Sequence, residues 1–194
     1  MIKRIFIWVA HPKAGSLSAG LADAYQAGAE RLGAHIRRMD LSDMTFDMNF
    51  DGYGDDMPPL EPDLVQWQEN LAWADHVLVV HPYWWGALPG KAKALLDRAL
   101  LPGFAYRYRP DGKGWDKLLA GRTADVIVTS DTPPLIDTFI YGRPGRRVMK
   151  NQVLGFCGLR TKKVVQFGPV TKAGPEKISR WIGQAGDMGG RAAA

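Results

Sequence analysis

Val77-Leu78-Val79-Val80-His81-Pro82-Tyr83-Trp84-Trp85-Gly86-Ala87-Leu88-Pro89-Gly90 is the stretch on which the fold turns. It opens with a short, β-rich apolar run of strand length. Three large aromatics bracketed by prolines stand at the strand end, and Pro89 then opens a helix where a missing N–H does no harm. Leu88, Ala92, Leu95, Leu96 and Ala99 give that helix a buried face. The unit is strand, loop, helix.

It recurs on both sides. Further β-rich runs at Ile5 to Ala10, Ala34 to Met39, Ala124 to Thr129 and Val164 to Phe167 bring the number of predicted strands to five. Between the first two, Ser18 to Leu32 predicts a helix with Leu17, Leu21, Tyr25, Gly28 and Leu32 in one stripe, stopped by Gly33. Asp63 to Ala74, with Val65, Leu71 and Trp73, predicts the next. Val148 to Phe156 and Pro175 to Gln184 predict the last two, the final one with Ile178, Trp181, Ile182 and Ala185 as its stripe. Residues 1–188 are expected to form one domain, and Gly189 to Ala194 a disordered tail.

Strands alternating with helices predict an α/β three-layer sandwich around a five-stranded parallel sheet. In the flavodoxin-like strand order 2-1-3-4-5, ligands bind beyond the strand ends where the first and third strands part. The loops leaving those two strands are the most peculiar in the sequence.

Composition narrows the class. A chain of 194 residues with 46% apolar content can bury a proper core. No apolar run approaches the roughly 20 residues that span a bilayer, so membrane insertion is not expected. Cys157 is the lone cysteine, which excludes an intrachain disulfide and a cysteine metal cage and favours a reducing, cytoplasmic compartment. His11, His35, His76 and His81 show no paired ligand spacing, and no metal site is predicted. The net charge of +5, from 25 basic and 20 acidic side chains, is spread in pairs such as Arg37-Arg38, Arg146-Arg147 and Lys162-Lys163. That pattern suits small anionic ligands better than nucleic acid.

The first strand delivers Ala10-His11-Pro12-Lys13-Ala14-Gly15-Ser16-Leu17-Ser18 to a helix start, a segment shaped for phosphate. Gly15 lets the backbone turn, the serines offer hydroxyls, and the free N–H groups of the helix start favour an anion. Taken singly, Ser18 also fits an N-cap, Ser16 a turn residue, and His11 a surface histidine. After the third strand, the proline-fixed aromatics offer flat apolar surface with backbone groups at its rim, which a planar, amphipathic cofactor needs. A cover for the sheet edge or a subunit contact would use the same residues.

His81-Pro82-Tyr83-Trp84-Trp85-Gly86-Ala87-Leu88-Pro89, with Lys93, Leu96-Asp97-Arg98 and Pro102-Gly103-Phe104-Ala105-Tyr106, resembles the signature of the NAD(P)H:quinone oxidoreductase family of flavodoxin-like proteins. His11-Pro12 with Ser16-Leu17-Ser18 is similar to that family's flavin-phosphate loop, and Met48-Asn49-Phe50-Asp51 resembles the segment after its second strand. The resemblance implies a homodimer with a non-covalent FMN or FAD at the subunit interface. It places Pro82, Tyr83, Trp84, Trp85 and Gly86 along the isoalloxazine, and His11, Ser16, Leu17 and Ser18 on the phosphate. Thr129, Ser130 and Asp131, running on into Thr132-Pro133, close the other side.

That third loop departs from the family pattern. The best-known members carry Thr-Thr-Gly-Gly, whereas Thr129-Ser130-Asp131-Thr132-Pro133 resembles a bacterial Thr-x-Asp-Thr-Pro version. Two roles are open to Asp131: a hydrogen bond to flavin or ribose, or a cap on the turn before Pro133. No side-chain nucleophile is needed, so no catalytic residue is assigned. The chemistry implied is reduction of the flavin by NAD(P)H and reoxidation by a quinone-like acceptor in one pocket. Tyr141, Arg143, Arg146, Arg147 and Lys150 are candidate substrate contacts or a solvated face. A flavin-binding redox regulator or ancillary subunit is the alternative function; one-electron carriage fits a basic chain poorly.

Overall fold

The computed structural model describes residues 2–54 and 57–194. In chain order its elements are β1 (Arg4–Val9), α1 (Leu17–Glu30), β2 (His35–Asp40), α2 (Pro62–Trp73), β3 (His76–Pro82), α3 (Gly90–Ala99), β4 (Tyr106–Tyr108), β5 (Trp115–Lys117) and β6 (Thr123–Thr129). Then come α4 (Pro134–Phe139), α5 (Pro144–Arg147), a π-helical turn (Val148–Leu154), α6 (Gly155–Cys157), β7 (Arg160–Phe167) and α7 (Pro175–Ala193). Five strands make one parallel sheet in the order β2-β1-β3-β6-β7, while β4 and β5 form a separate antiparallel hairpin. With that hairpin set aside, the order is the expected 2-1-3-4-5.

Period-two alternation along the strands builds two cores. Phe6, Trp8, Val77, Val79 and Val126 face α2 and α3, against Trp67, Leu71 and Leu95. Ile5, Ile7, Leu78, Val80 and Ile127 face α1 and α7, against Leu21, Tyr25, Trp181 and Ala185. β3 is buried along its whole length, as a central parallel strand must be. The edge strands β2 and β7 carry Arg37-Arg38 and Lys162-Lys163, charges that discourage pairing with another chain.

Several expectations are corrected. The segment from Gly189, expected to fray, continues α7 through Ala193. Gly189 is buried because α7 crosses α1 backbone to backbone: a Cβ there would strike the Tyr25 carbonyl, and one on Gly28 would strike the carbonyl of Gly186. Tertiary packing thus offsets the poor helix propensity of glycine. In α2, Leu71 is buried as expected, but Val65 is exposed, and Leu64 and Trp67 complete the buried stripe in its place. The β4–β5 hairpin, α4 and α5 were not anticipated. Their three- to six-residue lengths leave too little sequence for a period to register. Among the described residues, no helix is long and apolar enough to cross a membrane.

Candidate functional site

α1 leaves β1 on one face of the sheet and α3 leaves β3 on the other, which opens a crevice at the strand ends. A cleft of about 260 Å³ occupies it. His11, Leu17 and Ser18 enter from the first loop, Pro82, Tyr83 and Trp84 from the second, and Thr129, Ser130 and Asp131 from the third. Val170, from the turn after β7, completes the lining and had no sequence signal of its own. Ser16, Trp85 and Gly86 stand outside the lining.

The first loop assigns its serines differently from the single-residue alternatives. Ser16 is the N-cap of α1, its Oγ accepting from the Ala19 N–H at 3.3 Å. Ser18 is instead buried, with its Oγ 3.4 Å from Thr129 Oγ1, so the first and third loops touch there. Among the described residues, the backbone N–H groups of Leu17 and Ser18 have no acceptor. They are the donors that a helix start leaves over, and an anion can take them. His11 Nδ1 accepts from the Lys13 N–H at 3.0 Å, which places the proton of the neutral ring on Nε2. Burial, then the charge of Lys13, lowers its pKa and keeps it neutral.

The second loop is a tight turn. Trp84 N–H donates to Ala87 O at 3.0 Å and Ala87 N–H to Trp84 O at 3.1 Å, enclosing Trp85 and Gly86. Both central residues have positive φ, 54° at Trp85 and 73° at Gly86, as a type I′ turn requires. Glycine adopts this freely; tryptophan does so at a cost of about 1–3 kcal/mol. The N–H groups of Trp85 and Gly86 find no acceptor among the described residues, whereas that of Tyr83 donates to Thr129 O at 2.8 Å. The aromatic run therefore divides. Trp85 projects fully into solvent, Trp84 stands edge-on to His11 with centroids 5.8 Å apart, and Tyr83 turns inward.

Behind Tyr83 lies a support that the sequence did not reveal. Gly145 leaves room for the ring, since a Cβ there would sit 2.7 Å from Tyr83 Cε1. The buried Asp137 and the partly buried Arg146 form an ion pair at 2.7 Å that ties α4 to α5. Burial, helped by the Asp137 charge, pushes the Tyr83 phenol up to about 12. His81 is fully buried, with Nδ1 donating to Pro82 O at 2.9 Å and Nε2 without a partner, and burial drives its pKa down to about 4. Its place in the strand-three motif was visible, but burial of a histidine has no local sequence signal.

In the third loop, Ser130 closes the turn, accepting from the Thr132 N–H at 2.9 Å. Asp131, for which a cap on this turn was one of two open roles, reaches across to accept from the Thr171 N–H at 2.7 Å. Tyr141 does not line the cleft, and Arg143, Arg146, Arg147 and Lys150 line another. Arg146 is committed to Asp137. Among the described residues, no group of three or more His, Cys, Asp or Glu side chains is placed to hold a metal ion.

A model of the flavodoxin-like fold family matches residues 3–185. An FMN-dependent NADH:quinone oxidoreductase of Ruegeria pomeroyi is 32% identical over 139 residues, which span 63% of this chain and 67% of that one. The structure of an NAD(P)H:quinone oxidoreductase from Methanothermobacter marburgensis superposes with a TM-score of 0.81 at 22% identity, over 98% of this chain and 97% of the other. An FMN-dependent NADH-azoreductase from Bacillus anthracis, solved in complex with FMN, gives 0.77 at 18% identity, over 98% and 100%. At those identities the two structures establish likeness of fold, and with the family match over nearly the whole chain they make this protein a member of the flavodoxin-like fold family.

Proposed function

We propose that the protein is an FMN-dependent NAD(P)H:quinone oxidoreductase that works as a homodimer. One observation carries the reading: uncommitted N–H groups at the start of α1 and uncommitted N–H groups of Trp85 and Gly86 belong to the two loops that frame one cleft. A planar ring with polar edges and a phosphate tail has that pattern of needs. The quinone oxidoreductase of Ruegeria pomeroyi and the azoreductase solved with FMN support FMN in particular.

When bound, the flavin supplies two-electron chemistry between NAD(P)H and the acceptor. The chain supplies the setting. Leu17 and Ser18 N–H groups, with the dipole of α1 behind them, hold the phosphate, and the Nε2–H of His11 adds a neutral donor. Trp85 and Gly86 N–H groups would be the donors this loop offers to the flavin, and fixed donors need no reorganisation when negative charge develops. Trp84 supplies flat apolar surface, and Tyr83, propped by Gly145, keeps the loop from collapsing. No side chain need act as a nucleophile.

Leu135, Phe139, Ile140 and Trp85, all largely exposed, favour the dimer: an apolar patch beside the cleft calls for a cover, and a second copy provides one. A cytoplasmic location belongs to the same reading, and the lone, buried Cys157, which calls for no oxidising compartment, supports it. Denaturing purified protein and weighing the released chromophore should identify FMN, and a soluble benzoquinone should accelerate NAD(P)H oxidation by the holoprotein. Protein that takes up neither FMN nor FAD defeats the proposal. Sedimentation should give a dimer that Phe139→Glu dissociates, and a wild-type monomer would remove the interface.

A further inference from the structure

A second cleft, of about 290 Å³, opens between β7 and the segment formed by α5 and the π-helical turn. Arg143, Arg147, Lys150, Lys162 and Lys163 line it, and no carboxylate does. None of the five cations has an ion-pair partner among the described residues. Arg146, also on the wall, is held by Asp137.

The lysines sit at a defect in the sheet. Ala124 pairs with Thr161 and Asp125 with Lys163, so Lys162 is an extra residue in β7. Regular alternation would send Lys162 and Lys163 to opposite faces; at the bulge both line this cleft, and both also border a cleft on the α7 side that includes Asp125. On the same wall the buried Thr161 hydroxyl has no hydrogen-bond partner. Guarding a free strand edge requires a charge or two. Five like charges gathered from two distant segments repel one another, and a bound anion relieves that repulsion.

The cleft adjoins the flavin-binding loop. Pro144 packs on Gly86, and Gly145 sits against Tyr83 and the Gly86 carbonyl. A substrate that reaches from one cleft to the other would carry its redox-active ring at one end and phosphate at the other. We propose that this second cleft receives the 2′-phosphate of NADPH, so that Arg143, Arg147, Lys150, Lys162 and Lys163 make the enzyme prefer NADPH to NADH. The inference rests on the pyridine-nucleotide reading of the preceding subsection. A phosphomonoester brings close to two negative charges and several strong acceptors that NADH lacks, and arginine and lysine answer both.

Two measurements on the holoprotein separate this inference from that reading. In steady-state assays, Lys162→Gln/Lys163→Gln should raise KM for NADPH on the order of tenfold, the size of one or two lost charge-assisted hydrogen bonds, and lower the NADPH-to-NADH ratio of kcat/KM equally. By calorimetry, with no turnover involved, 2′,5′-ADP should bind more tightly than 5′-AMP, and the double variant should lose that preference. Thermal melting of the double variant should be unchanged or higher, since it relieves repulsion. Equal binding of the two nucleotides, or an unchanged preference in the double variant, overturns the cleft's assignment even if the enzyme reduces quinones. Selective 2′,5′-ADP binding without quinone reduction leaves the cleft's assignment standing and removes the activity.

Discussion

At the end of the sheet where β3 and β6 begin, polar side chains are closed among themselves. Tyr25 Oη donates to Asp125 at 3.1 Å and meets His76 Nε2 at 2.9 Å, while His76 Nδ1 meets Thr123 Oγ1 at 2.7 Å, joining α1, β3 and β6. There α1 and α7 also pack with glycine against backbone. At the opposite end, where the strands stop, the N–H groups of Leu17, Ser18, Trp85 and Gly86 lack acceptors among the described residues, Trp85 holds a left-handed conformation, and His81 Nε2 is buried with no partner among those residues. Among the described residues, Asp125 Oδ1 and the Thr161 hydroxyl are exceptions at the closed end. The contrast teaches where the free energy of this fold is gained and where it is spent: at one end side chains bond chiefly to one another across three elements, and at the other backbone donors are kept ready for a ligand.

The sharpest way to break the contrast is to remove the prop beneath the open end. Asp137→Ala leaves the Arg146 guanidinium partly buried and unpaired, at an expected cost of about 3–5 kcal/mol in urea unfolding. An unchanged midpoint would mean that the cleft stands without its ion pair. Next comes pH. His81 is held down to about 4, so below the ordinary histidine range the unfolded state binds the proton that the folded state refuses. Stability should therefore fall as pH drops from about 6.5 to 4, by up to about 3 kcal/mol, and be full above 6.5. His81→Gln should flatten that part of the profile; equal slopes would place the acid sensitivity elsewhere.

At the closed end, Gly28→Ala should cost about 2 kcal/mol by overpacking and leave FMN affinity unchanged, because the strain falls between α1 and α7. A matching loss of FMN affinity would show the two ends to be coupled. The smallest effect is expected at Trp85. Replacement by glycine should raise stability by about 1 kcal/mol and preserve the turn, whereas valine, which resists positive φ, should lose both stability and FMN binding. Titration of apoprotein with FMN distinguishes them, and identical behaviour of the two variants would sever backbone geometry from flavin binding.

How much could be read before the fold was known follows the range of each interaction. The strands, the α7 stripe and the α1 stripe as far as Gly28 were plain, because burial imposes a period of two or of about 3.6 on neighbours in sequence; Leu32, expected in the α1 stripe, lies past the end of the helix and is exposed. The switch point between β1 and β3 followed from element order, and with it the pairing of the phosphate-like and aromatic loops. Roles within those loops were not legible. Whether Ser16 or Ser18 caps α1, and whether Ser130 or Asp131 closes the third loop, depends on which backbone N–H each oxygen meets.

The amino-acid sequence by itself settled the layers, the order of elements and the two loops that frame the cleft, all consequences of local periodicity and chain direction. Tertiary structure alone decided which aromatic faces the cleft, since the φ of Trp85 sends one tryptophan outward and leaves its neighbour against His11. It also turned an expected tail into helix by setting Gly189 on the backbone of Tyr25, and brought Arg143 and Lys150 to the bulge at Lys162. Those outcomes depend on what lies behind a residue in space, which spacing along the chain does not encode.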